Sequence, residues 1–371
     1  MYNRRDFIKQ IGMAGMAAAI SPELLAWNER STLHERIPKK EDMIWANLIH
    51  LSFNIWQDYT PKEYQTESYP STYTAEEVTT WGNYFHPYLT CEKKVWDLII
   101  KKMAASGMNM AVIDIGDGVQ YESHPEISVK NAWTSKQLKE ALNQMRKMGI
   151  EPIPKLNFSA GHKTWLGPYQ YQISSPTYYE VCKDLIEEVI ELFDKPRFLH
   201  LGMDEETCEH QKTYRYTSIR NMDLWWHDFL FLVEQVERMN VRSWIWSDKI
   251  WRDNTAEFLK KMPKTVLQSN WNYEENGLTF SEDNKPNDPI CQAFFDLEEH
   301  GYDQVPTASL WLHGRWVNDD NFGRIVKHTK QVIAPERLKG FMQTTWMPCL
   351  QPCLDTHYRA IDIVKQAIDQ Y

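Results

Sequence analysis

The sequence predicts a single (β/α)8 barrel of the TIM type, because eight short apolar runs alternate along the chain with stretches of helical periodicity. Tight returns such as Lys147-Met148-Gly149 are typical of parallel strands joined by right-handed crossovers. A length of 371 residues and an apolar content of 42% suit one large barrel with a full core. We therefore expect residues 31–371 to form one barrel domain.

Each predicted strand is a short, mostly apolar run with polar or aromatic residues at or near its carboxyl end. In chain order the strands are Leu48–Trp56, Met108–Gly116, Ile150–Phe158, Arg197–Met203, Val241–Trp246, Thr265–Trp271, Pro306–Leu312 and Gly340–Trp346. Long loops follow three of them, at Gln57–Thr90, Ser159–Pro176 and Tyr273–Pro289. These loops lie on the face where barrel enzymes bind their ligands, so we expect the first, which is rich in Tyr, to cover a pocket.

Apolar residues at helical spacing occupy the segments between the strands. They share one face at Val95, Leu98, Ile99 and Met103, at Leu138, Leu142 and Met145, and at Leu185, Ile186, Val189 and Ile190. Later helices are expected at Leu224–Met239, Thr255–Met262, Cys291–His300, Phe322–Ile333 and Tyr358–Ile368.

The amino terminus resembles a twin-arginine export signal. Arg4 and Arg5 precede Asp6-Phe7-Ile8-Lys9 and a small, apolar stretch over residues 11–20, which is too short to span a membrane as a mature helix. We expect residues 1–30 to be a signal peptide, and the mature protein to be periplasmic or secreted in a bacterium rather than integral to the membrane.

Charge and cysteine content narrow the possible partners. A formal charge of −10 without a basic cluster argues against nucleic acid or an anionic membrane surface. The 6 cysteines are scattered, so independent thiols are favoured over a disulfide framework, including at Cys349 and Cys353. The 16 tryptophans, against roughly five for ordinary composition, suggest stacking surfaces, although Trp is also a common core residue.

The run from Arg197 to Glu206 carries the clearest chemical signal. A short apolar segment ends there in Asp204, Glu205 and Glu206. A carboxylic acid held partly out of water beside a carboxylate can have its pKa raised enough to donate a proton near neutrality. For an arbitrary strand end, the simpler explanation of such acids is that they cap the next helix or face solvent. The residues at the other strand ends are what favour a catalytic role here.

The other strand ends combine amide, carboxylate and aromatic side chains. The candidate sugar-binding residues are Asn54, Trp56, Asn157, Trp244, Trp246, Asp248, Trp271, Tyr273, Trp311, His313 and Trp346, and His162 follows the third strand. Sugars present an apolar face of C–H groups to an aromatic ring, while their hydroxyls need polar partners. Tryptophans at several successive strand ends therefore predict a carbohydrate pocket.

These residues resemble family 20 glycoside hydrolases, the β-N-acetylhexosaminidases. The motif His200-x-Gly202-x-Asp204-Glu205 is similar to the family's H-x-G-x-D-E on the fourth strand, and Pro154 to His162 resembles its third-strand P-E-I-D-M-P-G-H with one extra residue. Tryptophans at the fifth, sixth and eighth strands resemble its aromatic cage. The resemblance runs from about residue 45 to the end, without the family's usual domain before the barrel.

The resemblance implies an exo-acting hydrolase with substrate-assisted chemistry, a recognised exception to the two-carboxylate scheme. Glu205 would be the general acid and base, Asp204 would orient the 2-acetamido group of the substrate, and His162 would hydrogen-bond Glu205. The partner would be a carbohydrate, at the end of an oligosaccharide or glycoconjugate. We expect no metal and no other cofactor, because the candidate ligands already serve these roles.

Several positions depart from the family pattern. The first strand lacks the arginine that grips sugar hydroxyls, and Met347 stands where a glutamate follows the tryptophan of the eighth. Lys155 and Asn157 replace the acids of the third strand, and no clear Tyr-x-Asp pair ends the seventh. These departures point to an altered sugar specificity or to an inactive site.

Two other classes stay open. A metal-dependent sugar isomerase or epimerase barrel would place divalent ions on Glu, Asp and His at strand ends, and the available ligands are His200, His210, Asp204, Glu206 and Asp248. The eighth strand offers no carboxylate, which argues against such a metal site. A catalytically inactive carbohydrate-binding barrel would need only the tryptophan lining.

Overall fold

The computed structural model describes residues 43–212, 220–274 and 288–371. The predicted signal peptide at residues 1–30 and most of the predicted loop Tyr273–Pro289 lie outside the described residues. Within them, no helix is long and apolar enough to cross a membrane.

Eight parallel strands form a nearly closed barrel, which confirms the predicted (β/α)8 fold. They are β1 Ile44–His50, β2 Met110–Asp114, β3 Glu151–Lys155, β4 Phe198–His200, β5 Arg242–Trp246, β6 Leu267–Ser269, β7 Thr307–Ser309 and β8 Gly340–Thr344. Neighbours in sequence pair from β1 to β6, β1 pairs β8, and β8 pairs β7. Parallel bridges from Gln268 to Gln304 and from Trp271 to Thr307 bring β6 against β7.

Helices surround the strands on the outside. In the described part of the chain the α-helices are α1 Ala75–Gly82, α2 Lys93–Ala105, α3 Ser135–Lys147, α4 Pro176–Leu192, α5 Cys208–Gln211, α6 Met222–Arg238, α7 Thr255–Lys261, α8 Pro289–Glu299, α9 Asn321–Val332 and α10 Leu354–Gln370. Local sequence explains where they start: Thr134 and Gln137 form a reciprocal capping box at α3, and Ser175 caps α4 ahead of Pro176.

The two-residue period of the strands separates two apolar layers. On β1, Ile44, Ala46 and Leu48 point into the barrel, where they pack with residues such as Val112 and Met342. The alternate residues of each strand pack outward against the helices in the larger core. This alternation also places the last inward residue of each strand at the carboxyl end of the barrel interior.

The strands end earlier than the sequence predicted. The first strand begins at Ile44 and ends at His50, so the predicted segment Leu48–Trp56 was shifted by several residues. Its second half leaves the sheet because the side chains of Ser52 and Asn54 hydrogen-bond Asp117 in the loop after β2. The predicted strand Pro306–Leu312 is also divided, since residues 311–312 pair antiparallel with 315–316.

Candidate active site

The loop after β4 brings Asp204 and Glu205 to one place. Neighbouring residues on a strand face opposite ways, but here Gly202, Met203 and Glu205 have positive φ values of 71°, 73° and 59°. This left-handed backbone turns the chain, so both carboxyl groups reach the same histidine. Asp204 lies deep, with 7% of its side chain exposed, whereas the side chain of Glu205 is 41% exposed.

His162 bridges the two acids. Its Nδ1 lies 3.0 Å from Oδ1 of Asp204, and its Nε2 lies 3.1 Å from Oε2 of Glu205. Asn157 donates from Nδ2 to the same Asp204 oxygen at 3.0 Å. The structure therefore assembles Asp204, Glu205, His162 and Asn157, which the sequence had placed on two different strand ends, into one hydrogen-bonded group.

The charges of this group stabilise one another. Burial alone would lower the pKa of His162, but the adjacent Asp204 carboxylate and the hydrogen bonds to both acids raise that pKa to about 10. Burial would raise the pKa of Asp204, yet His162, Lys155 and Asn157 hold it well below its usual range. At neutral pH the site therefore contains an imidazolium that donates to both acids and an ionised Asp204.

Asp248 lies beside Asp204 and Glu205 but, unlike Asp204, it is protonated at neutral pH. Its Oδ2 accepts the backbone N–H of Glu205 at 2.8 Å, and its Oδ1 accepts the indole N–H of Trp271 at 3.4 Å. Burial, reinforced by the charge of Asp204, raises the pKa of Asp248 to about 8, although these hydrogen bonds oppose the shift. A neutral carboxyl group thus supports the main chain of Glu205.

A line of polar residues lies inside the barrel beneath the acids. His50, Asp114, Lys155 and His200 are register partners on β1 to β4 and all are buried. The Lys155 ammonium forms an ion pair with Asp114. Sequence reasoning treated Lys155 only as a departure from the family, although its alternation with Ile153 already placed it in the barrel interior.

Aromatic side chains form an arc around the mouth of the barrel. The Trp271 and Tyr273 rings are 4.9 Å apart, the Tyr273 and Trp311 rings 6.4 Å, and the indole N–H of Trp346 donates to the Tyr273 hydroxyl at 3.3 Å. Trp56 lies on the His162 side, with its ring 6.0 Å from the imidazole and nearly perpendicular to it. The arc is joined to the acid group by the hydrogen bond from the Trp271 indole to Asp248.

Other predicted site residues are not part of the hydrogen-bonded acid group, although the Trp246 ring lies 6.1 Å from that of Trp346. Trp244 and Trp246 are 0% and 1% exposed and pack inside the barrel, where the Trp244 indole donates to Ser269. The Asn54 amide bonds the main chain of His86 and the Asp117 carboxylate. The side chain of His313 is 71% exposed at the tip of the short hairpin, 3.2 Å from Glu274.

The residues considered for a metal do not converge. His200 accepts the Gly202 N–H through Nδ1, His210 hydrogen-bonds Thr207, and Glu206 pairs with Arg220. Among the residues with described positions, no group of three or more His, Cys, Asp or Glu side chains is arranged to hold a metal ion. The buried Arg220 was missed by sequence reasoning, because nothing in its local pattern sets it apart from a surface arginine.

Solved structures with a similar fold include several β-N-acetylhexosaminidases. The enzyme from Bacteroides fragilis superimposes with a TM-score of 0.54 at 12% identity, over 86% of this chain and 65% of that chain. The family 20 enzyme from Streptomyces coelicolor gives 0.52 at 10% identity, over 86% and 63%. A family 20 module of the pneumococcal exo-β-D-N-acetylglucosaminidase gives 0.50 at 12% identity, over 88% and 85%.

The chain thus spans about two thirds of the length of the first two of these proteins. No protein-family model matches the sequence, and no curated protein sequence matches it. At such low identities the likeness shows a shared barrel fold.

Proposed function

We propose that this protein is a glycoside hydrolase related to the β-N-acetylhexosaminidases, which removes a terminal sugar by acid/base catalysis. The observation that carries the proposal is the bridge from Asp204 through His162 to Glu205 at the end of β4. The shared fold with β-N-acetylhexosaminidases supports it.

In this proposal Glu205 transfers the proton. Its side chain is the more exposed of the two acids and lies at the mouth of the barrel, where a leaving-group oxygen can approach. It donates a proton to that oxygen in the first step and takes one from water in the second. His162 fixes the carboxyl group by hydrogen-bonding one of its oxygens.

In this proposal Asp204 orients the substrate and does not attack it. Its carboxylate is buried, ionised and already bonded to His162 and Asn157. In a substrate-assisted reaction the 2-acetamido carbonyl oxygen attacks the anomeric carbon, and Asp204 accepts a hydrogen bond from the acetamido N–H as positive charge develops there. Water then opens the cyclic intermediate with Glu205 as the base.

The aromatic arc gives the sugar its binding surface. Rings of Trp271, Tyr273, Trp311 and Trp346 offer flat apolar faces next to the acids. We infer a closed subsite for one terminal sugar, hence exo action on an oligosaccharide or glycoconjugate, and a site of action outside the cytoplasm in keeping with the amino-terminal sequence.

A panel of chromogenic aryl glycosides tests the proposal. We expect hydrolysis of β-glycosides with a 2-acetamido group, at least about 10²-fold faster than of their 2-hydroxy counterparts, because only the former carry the internal nucleophile. A thiazoline analogue should inhibit, and chelator should leave the rate unchanged. Binding of sugars without hydrolysis of any glycoside would indicate an inactive binding barrel, and activity restored by manganese or zinc would indicate an isomerase-type site.

A further inference from the structure

Glu206 forms a fully buried ion pair with Arg220 immediately after the catalytic acids. The Arg220 Nε donates to Oε2 of Glu206 at 2.8 Å and its Nη2 donates to Oε1 at 2.8 Å, with both side chains 0% exposed. Two parallel bonds of this kind fix the relative orientation of the two groups, and not merely their distance. Glu206 is therefore held in one position.

Both partners also hold the loop that carries His162. The backbone N–H of Ala160 donates to Oε1 of Glu206 at 3.0 Å, and Nη2 of Arg220 donates to the Phe158 carbonyl. One ion pair thus joins the segment with Glu205 to the segment with His162. These are the two segments whose spacing sets the 3.1 Å contact between Nε2 of His162 and Oε2 of Glu205.

The pair is anchored to the helices outside the barrel. Nη1 of Arg220 donates to Asp228 on α6 at 3.1 Å and to the Tyr178 hydroxyl on α4 at 3.3 Å. The Glu206 carbonyl accepts from Lys249 at 2.9 Å and from Gln211 at 2.8 Å. The position of the catalytic loop is therefore defined from several elements at once.

Stability is a poor reason for such an arrangement. Taking two charges out of water costs much of what their attraction returns, and apolar replacements of buried ion pairs are often neutral or stabilising. A strained backbone, in contrast, persists only where its surroundings over-determine it, and Glu205 has a φ of 59°. The bonds around Glu206 supply that restraint next to the strained residue.

We propose that Glu206 and Arg220 are positioning residues, which clamp the loops after β3 and β4 together and so hold Glu205 in hydrogen-bonding contact with His162. The proposal rests on the proposed function only for the catalytic role of Glu205. The contact itself can be followed without any substrate.

The first experiment is an NMR titration of the His162 ring in wild type, Glu206→Gln and Arg220→Lys. The acids beside it raise the pKa of His162 to about 10, so its titration reports whether they stay in place. We expect its midpoint to fall by at least about one pH unit in both variants. Arg197→Met is the matched control, because Arg197 pairs with Glu151 across the same two strands at their opposite end; its midpoint should equal that of wild type.

The second experiment measures turnover and thermal unfolding of the same variants. Because a displacement of about 1 Å can cost about 10²-fold, we expect kcat to fall by about 10- to 10²-fold while KM changes by less than about threefold. Variants that unfold at lower temperature but keep the wild-type His162 titration and kcat would overturn the proposal. If Glu206→Gln does not fold, Arg220→Lys, which keeps the buried charge, tests the proposal. If the wild type hydrolyses no glycoside, the His162 titration alone tests it.

Discussion

Asp248 is a buried carboxyl group that hydrogen-bonds the Glu205 main chain without carrying a charge at neutral pH. It accepts the Glu205 backbone N–H, yet it lies close enough to Asp204 for a second negative charge to be costly. The site therefore separates its acids by environment: Asp204 is ionised beside an imidazolium, and Asp248 is neutral at pH 7. Such opposite shifts of neighbouring groups are typical of sites built for proton transfer.

Replacing Asp248 with Asn should change the pH dependence of stability. The pKa of Asp248 in the folded protein, about 8, lies above the unfolded value of about 3.9, so its contribution to stability is complete below about pH 4 and is lost as pH rises through 8. Asn cannot ionise, so Asp248→Asn should gain stability over wild type by at most about 1.4 kcal/mol per pH unit in that window.

Thermal unfolding between pH 4 and 9 measures this difference. The control is Asp97→Asn on α2, where the side chain is 38% exposed. Parallel stability curves for wild type and Asp248→Asn would show that Asp248 is already ionised at neutral pH.

The residues of the acid group could be predicted from the sequence, but their geometry could not. Asp204, Glu205 and His162 stand in a recognisable motif with the right strand assignment. Both acids reach one histidine because the backbone is left-handed at Met203 and Glu205. The residue types Met and Glu do not predict this conformation. Arg220 and the neutral state of Asp248 depend on burial by distant parts of the chain, which no local pattern encodes.

The turn from β4 into the loop that follows it depends on Gly202. This residue has a φ of 71°, and a Cβ atom there would lie 2.0 Å from Oδ1 of Asn157. Asn157 in turn bonds Asp204 and the Ser159 backbone N–H, each at 3.0 Å. The glycine therefore leaves room for the Asn157 side chain that hydrogen-bonds Asp204.

We predict that Gly202→Ala is destabilising beyond its backbone strain. Gly301→Ala is the matched control, since Gly301 has a φ of 74° but no neighbour within 4 Å of a Cβ atom. The control should cost about 1 to 2 kcal/mol for left-handed strain alone. Gly202→Ala should cost about 1 to 3 kcal/mol more, because Asn157 must move. Equal losses in denaturant unfolding would show that Asn157 accommodates the methyl group.

Element types followed well from the sequence, whereas element ends did not. Every strand–helix pair of the barrel was recognised from its periodicity. The predicted carboxyl ends ran too far at β1 and β4 because apolar residues continue past the sheet: Leu51, Phe53, Leu201 and Met203 are buried in loops. An apolar run in the sequence indicates that a segment is buried, but not that it is a strand. At the carboxyl end of this barrel, buried loop residues follow the strands.

The closed barrel presents an aromatic arc on one side of the acids. Hydrogen bonding joins Trp346 to Tyr273, and ring contact joins Tyr273 to Trp271 and Trp311. These residues come from three different strand ends, so only the closed barrel brings them together. The likeness to solved hexosaminidase barrels lies in the overall fold, since the sequences are only 10% to 12% identical.

Trp271→Ala and Trp346→Ala should each weaken sugar binding by about 1 to 3 kcal/mol, through lost ring contact and buried area. Tyr358→Ala on α10, a partly buried aromatic residue on the outer layer, serves as the control and should leave binding unchanged. Calorimetry with the reaction product measures the effect.

The product profile from a long oligosaccharide tests the closed subsite. Single sugars should be released from one end throughout the reaction. Fragments from cuts within the chain would instead require an open groove.

The most direct test of the account is the turnover of Glu205→Gln on a 2-acetamido β-glycoside. The variant should lose about 10²- to 10⁴-fold in kcat, the range of general acid catalysis, while its unfolding temperature stays that of wild type. Glu209→Gln, at a 65% exposed carboxylate on the adjoining helix α5, should retain full activity. A Glu205→Gln variant that hydrolyses the glycoside at the wild-type rate would contradict the assignment of Glu205 as the acid and base.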